Sequence, residues 1–264
     1  MSERLEGSVV VVTGATGIAR AAAIGFAAEG AEVFTVSLDA EECEALHREI
    51  ERAGPGHHAF RPTDLRVEAE VVGAFDAALE RFGRIDGLLA VAGGSGRRFG
   101  DGRVDEISLA AWQSTLDLNL TTTFLSVREA VRAMREASTG GSIAVVSSVL
   151  AEHPSPERFG THAYAVAKAG QLALVKTAAA TYAPEGIRLN AIAPAVVATP
   201  MSARAQTDED VTSYVERKQP LSSGFLKPEA VVDAATYLLS SEAAAVTGQV
   251  IGVDGGWSVT EARL

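Results

Sequence analysis

Val9-Val10-Val11-Val12-Thr13-Gly14-Ala15-Thr16-Gly17-Ile18-Ala19 is the stretch whose reading decides the fold. Four β-branched residues in a row, apolar on both sides of the pleat, predict a strand buried on both faces. Two glycines then break the run, and an alanine-rich helical segment follows over residues 17–29. A glycine turn between a strand and a helix N-terminus is an anion site. Its backbone N–H groups point outward, the helix dipole adds positive potential, and absent side chains let a diphosphate come close. Gly14, Thr16, Gly17 and Ile18 form that turn.

Outward from this turn, short apolar runs recur at 32–37, 57–62, 85–92, 142–148, 188–193 and 249–253, making seven with 8–13. Between them lie helical segments with readable ends. Residues 17–29 stop at Gly30, 41–53 at Gly54 and Pro55, 67–82 at Gly83, and 162–183 before Pro184. Strand–helix alternation with short connections predicts a single α/β domain over 1–264, a Rossmann-type doubly wound parallel sheet of about seven strands. The polar segment 202–227 breaks the rhythm and is too long for a plain connection. It is expected to be a substrate lid over about 201–227, the plain alternative being a surface excursion.

The chain has 264 residues, with 23 Lys+Arg against 34 Asp+Glu, a net charge of −11. That balance argues against nucleic acid or an anionic membrane as partner. One cysteine, Cys43, excludes an intramolecular disulfide and a multi-cysteine metal site. The N-terminal stretch lacks the features of a signal peptide, and no run reaches the ~18 apolar residues of a membrane helix. A soluble, cytoplasmic protein is the expectation.

Tyr164-Ala165-Val166-Ala167-Lys168 carries the chemistry. A spacing of four sets Tyr164 and Lys168 side by side on one helical face. A neighbouring ammonium favours phenolate and is expected to draw the phenol below its usual pKa of about 10, making it a usable acid or base. Ser148 is expected to close the fifth strand at the sheet's C-terminal edge, with its hydroxyl facing the crevice.

With the glycine turn, Asn119, Ser148, Tyr164 and Lys168 in this order, the chain resembles the short-chain dehydrogenase/reductase family over nearly its whole length. The resemblance implies hydride transfer between a nicotinamide cofactor and a carbonyl/alcohol pair on a small organic substrate. It gives Tyr164 the proton, Ser148 the substrate oxygen, Lys168 the phenol and the nicotinamide ribose, and Asn119 a relay water. It also implies cofactor contacts at Gly14, Thr16, Gly17, Ile18, Ser37, Leu38, Asp64, Leu65, Ala90, Ala92, Gly93, Tyr164, Lys168, Pro194, Val197 and Thr199, and a homo-oligomer, tetramer or dimer, with 162–183 as a contact helix.

The chain departs from the family pattern in four places. The glycine turn is one residue shorter, and Ala19 stands for its last glycine. Ala90-Val91-Ala92-Gly93 replaces an asparagine pair, Ala195 replaces a glycine after Pro194, and sixteen positions separate Ser148 from Tyr164. The cofactor is NAD or NADP. By the resemblance, NAD-preferring members carry an acid at the Ser37 position and NADP-preferring members an arginine beside it or in the glycine turn. This chain has neither, and with no cation to balance a 2′-phosphate the lean is to NAD. Asp39 is either a shifted ribose acceptor or a helix cap. Arg97 and Arg98, past the fourth strand, either bind a substrate anion or are solvated. No metal is required. The alternative function is a dinucleotide-binding sensor or scaffold without turnover; a methyltransferase would leave Tyr164 and Lys168 unexplained.

Overall fold

The computed structural model describes residues 4–54 and 56–261. Pro55, an expected helix stop, and residues 1–3 of the N-terminal stretch lie outside them. The strands are β1 (Val9–Thr13), β2 (Glu32–Ser37), β3 (Ala59–Pro62), β4 (Gly87–Ala90), β5 (Gly141–Val146), β6 (Ile187–Pro194) and β7 (Val250–Val253). They form one sheet in the order β3-β2-β1-β4-β5-β6-β7. Every pairing is parallel. The chain reverses its direction of travel across the sheet between β1 and β4. At such a switch point the loops part and leave a crevice at the strands' C-terminal ends.

The helices are α1 (Gly17–Ala28), α2 (Ala40–Ala53), α3 (Glu68–Phe82), α4 (Leu109–Leu116), α5 (Thr122–Ala137), α6 (Pro156–Phe159), α7 (His162–Tyr182), α8 (Ala203–Gln206), α9 (Glu209–Lys218) and α10 (Pro228–Leu239). Two apolar layers sandwich the sheet. Val11, Leu88, Ile143 and Leu189 face the layer of α3, α5 and α7. Their neighbours Val10, Val12, Leu89 and Ala144 face the layer of α1, α2 and α10. Period-two alternation with both faces apolar explains why the strands read as continuous hydrophobic runs. Full burial of Phe26 or Ile143 contributes about 2–3 kcal/mol each.

All seven expected strands are present, with ends displaced by two residues at most; β6 runs one residue further at each end and β5 starts one residue earlier. The sequence reading sets no bounds for α4, α5 and α10, and for α5 the physical reason is visible. Helix α5 ends at Ser138, whose left-handed φ of 53° does the work usually left to glycine. The segment 202–227 is built, not loose. Its helices α8 and α9 pack Ala205, Val211 and Val215 around Trp257. Phe159 and Tyr214 meet that indole edge-on at 5.8 and 5.7 Å. Among the described residues no helix is long and apolar enough to cross a membrane.

Candidate active site

A cavity of about 260 Å³ opens at the switch point. Thr16, Gly17 and Ile18 of the glycine turn form one part of its wall, and Gly14 does not line it. Gly14 takes φ 102° and donates its N–H to the Val36 carbonyl at 2.7 Å. Gly17 opens α1 with φ 56°, and a Cβ there would sit 3.1 Å from the Thr199 side chain. Thr16 puts no side-chain cap on α1, and the first turn holds no acid. Gly17 and Ile18 line the cavity, and their N–H groups have no preceding turn to bond within the helix. An uncapped helix start with glycine at its turn and no acid in its first turn fits a diphosphate.

Ser37, Leu38, Asp64, Leu65, Ala90 and Ala92 end or follow β2, β3 and β4 but do not line this cavity. Asp39 is the cap of α2: its Oδ1 accepts from the Glu41 and Glu42 N–H groups at 2.9 Å each. Asp64 is gripped by Arg66, Nε to Oδ1 at 2.8 Å and Nη2 to Oδ2 at 2.6 Å, and that fork holds its carboxyl below the usual range. Thr13 Oγ1 accepts from the Val91 and Ala92 N–H groups at 3.0 and 3.1 Å. The segment lacking the family's asparagines is therefore secured from β1.

Across the cavity stand Ser148, Tyr164 and Lys168, all on its wall. Ser148 lies two residues beyond β5 rather than closing it. It begins a 3-10 turn (Val149–Ala151), where its Oγ accepts from the Leu150 N–H at 3.2 Å. That bond occupies a lone pair and leaves the hydroxyl proton to give. Its twin Ser147 has a different task, donating to the Lys168 carbonyl at 2.9 Å and pinning α7 to the sheet. Lys168 Nζ donates to the Val146 carbonyl at 2.9 Å and lies 5.6 Å from the Tyr164 ring centroid.

The electrostatics differ from the expectation. Burial pushes the Tyr164 phenol up to about 12, opposed by its hydrogen bond with Ser148. Burial also pushes Lys168 down to about 7. In the protein by itself desolvation outweighs the attraction between the two, because the low-dielectric corner penalises either charge. The phenol therefore carries its proton at neutral pH.

Asn119 sits in a π-turn (Asp117–Thr121) between α4 and α5 and is fully buried. Its Oδ1 accepts from the Gly94 N–H, and its Nδ2 donates to the Gly94 and Thr115 carbonyls, at 3.0, 3.0 and 2.9 Å. Both amide protons are committed, and Asn119 itself does not line the cavity. A Cβ on Gly93 would come within 2.6 Å of Asn119 Oδ1, so the loop passes tightly over it. Pro194 at the end of β6, and Val197 and Thr199 beyond it, line the cavity. The Val197 carbonyl accepts from Ser202 Oγ at 2.6 Å, and Gln219 Oε1 accepts from the Val196 N–H at 2.7 Å.

Two positioning residues were not singled out in the sequence. Gln219 fixes the segment after β6. Asp101 is buried, and its two oxygens accept from the N–H groups of Ala163 and Tyr164 at 3.0 and 2.9 Å. A carboxylate from a remote loop thus caps α7 at the turn that carries the tyrosine. Only an acid just past the glycine-rich 93–100 run hinted at it, and an acid in a loop has no readable partner.

A family model described as enoyl-(acyl carrier protein) reductase matches residues 12–258. The chain is 33% identical over 266 residues to glucose 1-dehydrogenase 2 of Bacillus subtilis, with 100% of each covered. A solved short-chain type dehydrogenase/reductase from Mycobacterium ulcerans superposes with a TM-score of 0.91 at 31% identity, over 98% of this chain and 92% of that one. Carveol dehydrogenase from Mycobacterium avium, solved in complex with NAD, gives 0.90 at 25% identity over 97% and 99%. This chain belongs to the short-chain dehydrogenase/reductase family and is an NAD(P)-dependent oxidoreductase acting on alcohols and carbonyls.

Proposed function

We propose that the chain interconverts a ketone and a secondary alcohol on a small organic substrate, with Tyr164 as proton donor and acceptor. The observation that carries this reading is that Tyr164, Ser148 and Lys168 line one cavity with the start of α1, across from the glycine turn. The bound dinucleotide supplies or takes up the hydride. In reduction, Tyr164 gives its proton to the carbonyl oxygen as the carbon becomes C–H. Ser148 donates a hydrogen bond to that same oxygen and stabilises its growing charge. Lys168 holds the tyrosine's flank and would bond a ribose hydroxyl of the cofactor. Asn119 keeps the Gly93–Gly94 loop in place, which leaves its assigned relay water to the remaining Oδ1 lone pair.

NAD is the preferred cofactor in this reading. Residues 36–42, Val-Ser-Leu-Asp-Ala-Glu-Glu, hold three carboxylates and no cation to balance a 2′-phosphate. The working unit is a homo-oligomer; Phe124 on α5 and Val166 on α7, 45% and 47% exposed, support apolar contact there.

The test is a titration with NADH and NADPH, followed by oxidation of the tighter cofactor with a panel of ketones and aldehydes. Tight binding of NADH with turnover of ketones is expected. Tight binding with no turnover across the panel would instead mark a dinucleotide sensor.

A further inference from the structure

In a chain of net charge −11, the cavity wall contains no aspartate or glutamate. Its charged residues are Lys168, already engaged beside Tyr164, and two arginines, Arg97 and Arg204. They come from separate segments. Arg97 lies in the 3-10 turn (Gly96–Phe99) after β4, and Arg204 lies on α8. Neither makes an ion pair among the described residues. The only hydrogen bond of the Arg97 guanidinium there is a long one, 3.5 Å, to the Arg158 carbonyl. Arg98, its neighbour, lies over the Phe99 ring at 4.7 Å and is not part of the wall.

The two guanidiniums feel each other. Desolvation first, then the charge of Arg204, hold Arg97 below the ordinary arginine range. The acid that acts on Arg97, Asp101, has both oxygens committed to the N-terminus of α7. Two guanidiniums without a counterion on the wall of one cavity suit an anionic ligand, and a guanidinium fork matches the two oxygens of a carboxylate. The wall also carries the apolar side chains of Leu150, Phe159, Met201 and Trp257, with Ser95, Thr161 and Ser202 among them.

We propose that Arg97 and Arg204 seat the carboxylate of the substrate, which is therefore an oxo- or hydroxy-carboxylic acid with an apolar body. This rests on the hydride-transfer reading above and adds the substrate class to it. The acid end is held by the arginine pair while the carbonyl lies at Tyr164 and Ser148.

The experiment compares a ladder of oxo acids, 4-oxopentanoate to 7-oxooctanoate, with their methyl esters. Wild type, Arg97→Gln and Arg204→Gln are compared by kcat/KM and by calorimetry on the NADH-saturated protein. Both arginines are exposed, so both variants are expected to fold. At least one acid should exceed its ester by about tenfold or more in both readouts, the size of a charge-assisted contact. That ratio should fall toward one in each variant, with the Kd for NADH unchanged.

Acids and esters that behave alike in both readouts overturn the seat, as does a ratio that survives both substitutions. Weakened NADH binding in either variant also overturns it, by assigning that guanidinium to the diphosphate. Preference for dihydroxyacetone phosphate over every acid overturns the carboxylate. The two readings separate cleanly. An acid preference in calorimetry without turnover keeps the seat and removes the dehydrogenase reading. Equal turnover of acids and esters does the reverse.

Discussion

The two walls of the cleft are built from different materials. The cradle is main chain: Gly14 and Gly17 at positive φ and the uncapped start of α1. The reaction corner is side chain, and each group there is held by a second bond. Lys168 is tied to Val146, its carbonyl to Ser147, the start of its helix to Asp101, and the facing loop to Asn119. A site made of backbone tolerates changed side chains, such as Ala19 for glycine, but not an added Cβ at a turn. A site made of side chains tolerates variation around it but not the loss of one polar atom.

Substitutions on each wall put this contrast at risk. Tyr164→Phe removes one oxygen and should lower kcat by roughly 10²–10⁴-fold, the usual contribution of a positioned acid. Binding of NADH, measured by fluorescence titration, should be unaffected; turnover near wild type would contradict the role of the phenol. Asp101→Ala takes away the cap of α7 without touching the cleft. It should cost about 1–3 kcal/mol in urea unfolding. It should also lower kcat more than the KM for NADH, with Asp101→Asn recovering part of both. A stability loss with kcat intact would make the residue purely structural.

On the other wall, Gly17→Ala forces an ordinary residue to φ 56° and places a Cβ 3.1 Å from Thr199. A strain of about 1–2 kcal/mol should appear as about tenfold weaker NADH binding. The kcat at saturating cofactor should change little.

The subtlest effect is a pH slope. Lys168 falls from an ordinary 10.5 to about 7 in the fold. Between those values the unfolded chain binds the extra proton, so this group makes stability rise with pH from about 7 to 10.5. Below about 7 both states are protonated, and the burial cost of the ammonium is carried in full. Lys168→Met should therefore gain stability relative to wild type most at pH 6 and lose that advantage toward pH 10. A constant difference in Tm across that range would remove the assignment of a buried, readily neutralised amine.

Much of the molecule was legible in its letters because the legible parts are local. A β-branched run, a glycine turn and an i,i+4 pair each carry their physics within a few residues, and the seven strands, the cradle and Tyr164–Lys168 followed from them. What stayed hidden is tertiary. Asp101 reaches sixty-odd positions along the chain to its helix. Gln219 pins Val196 from a segment that reads as a polar lid or excursion with no partner named for any of its side chains. The tyrosine's proton affinity was misjudged for the same reason. Spacing puts a lysine beside a phenol, but it does not tell how dry the corner is, and burial sets the sign.

One short strap, residues 96–102, carries Arg97 at one end and Asp101 near the other. The piece of chain that would greet the far end of a substrate is thus bolted to the helix presenting the proton. Grafting a different strap to change what the enzyme accepts would loosen its chemistry in the same stroke. New substrate tastes are more freely acquired from α8, where Arg204 stands on a segment with no such bolt to Tyr164.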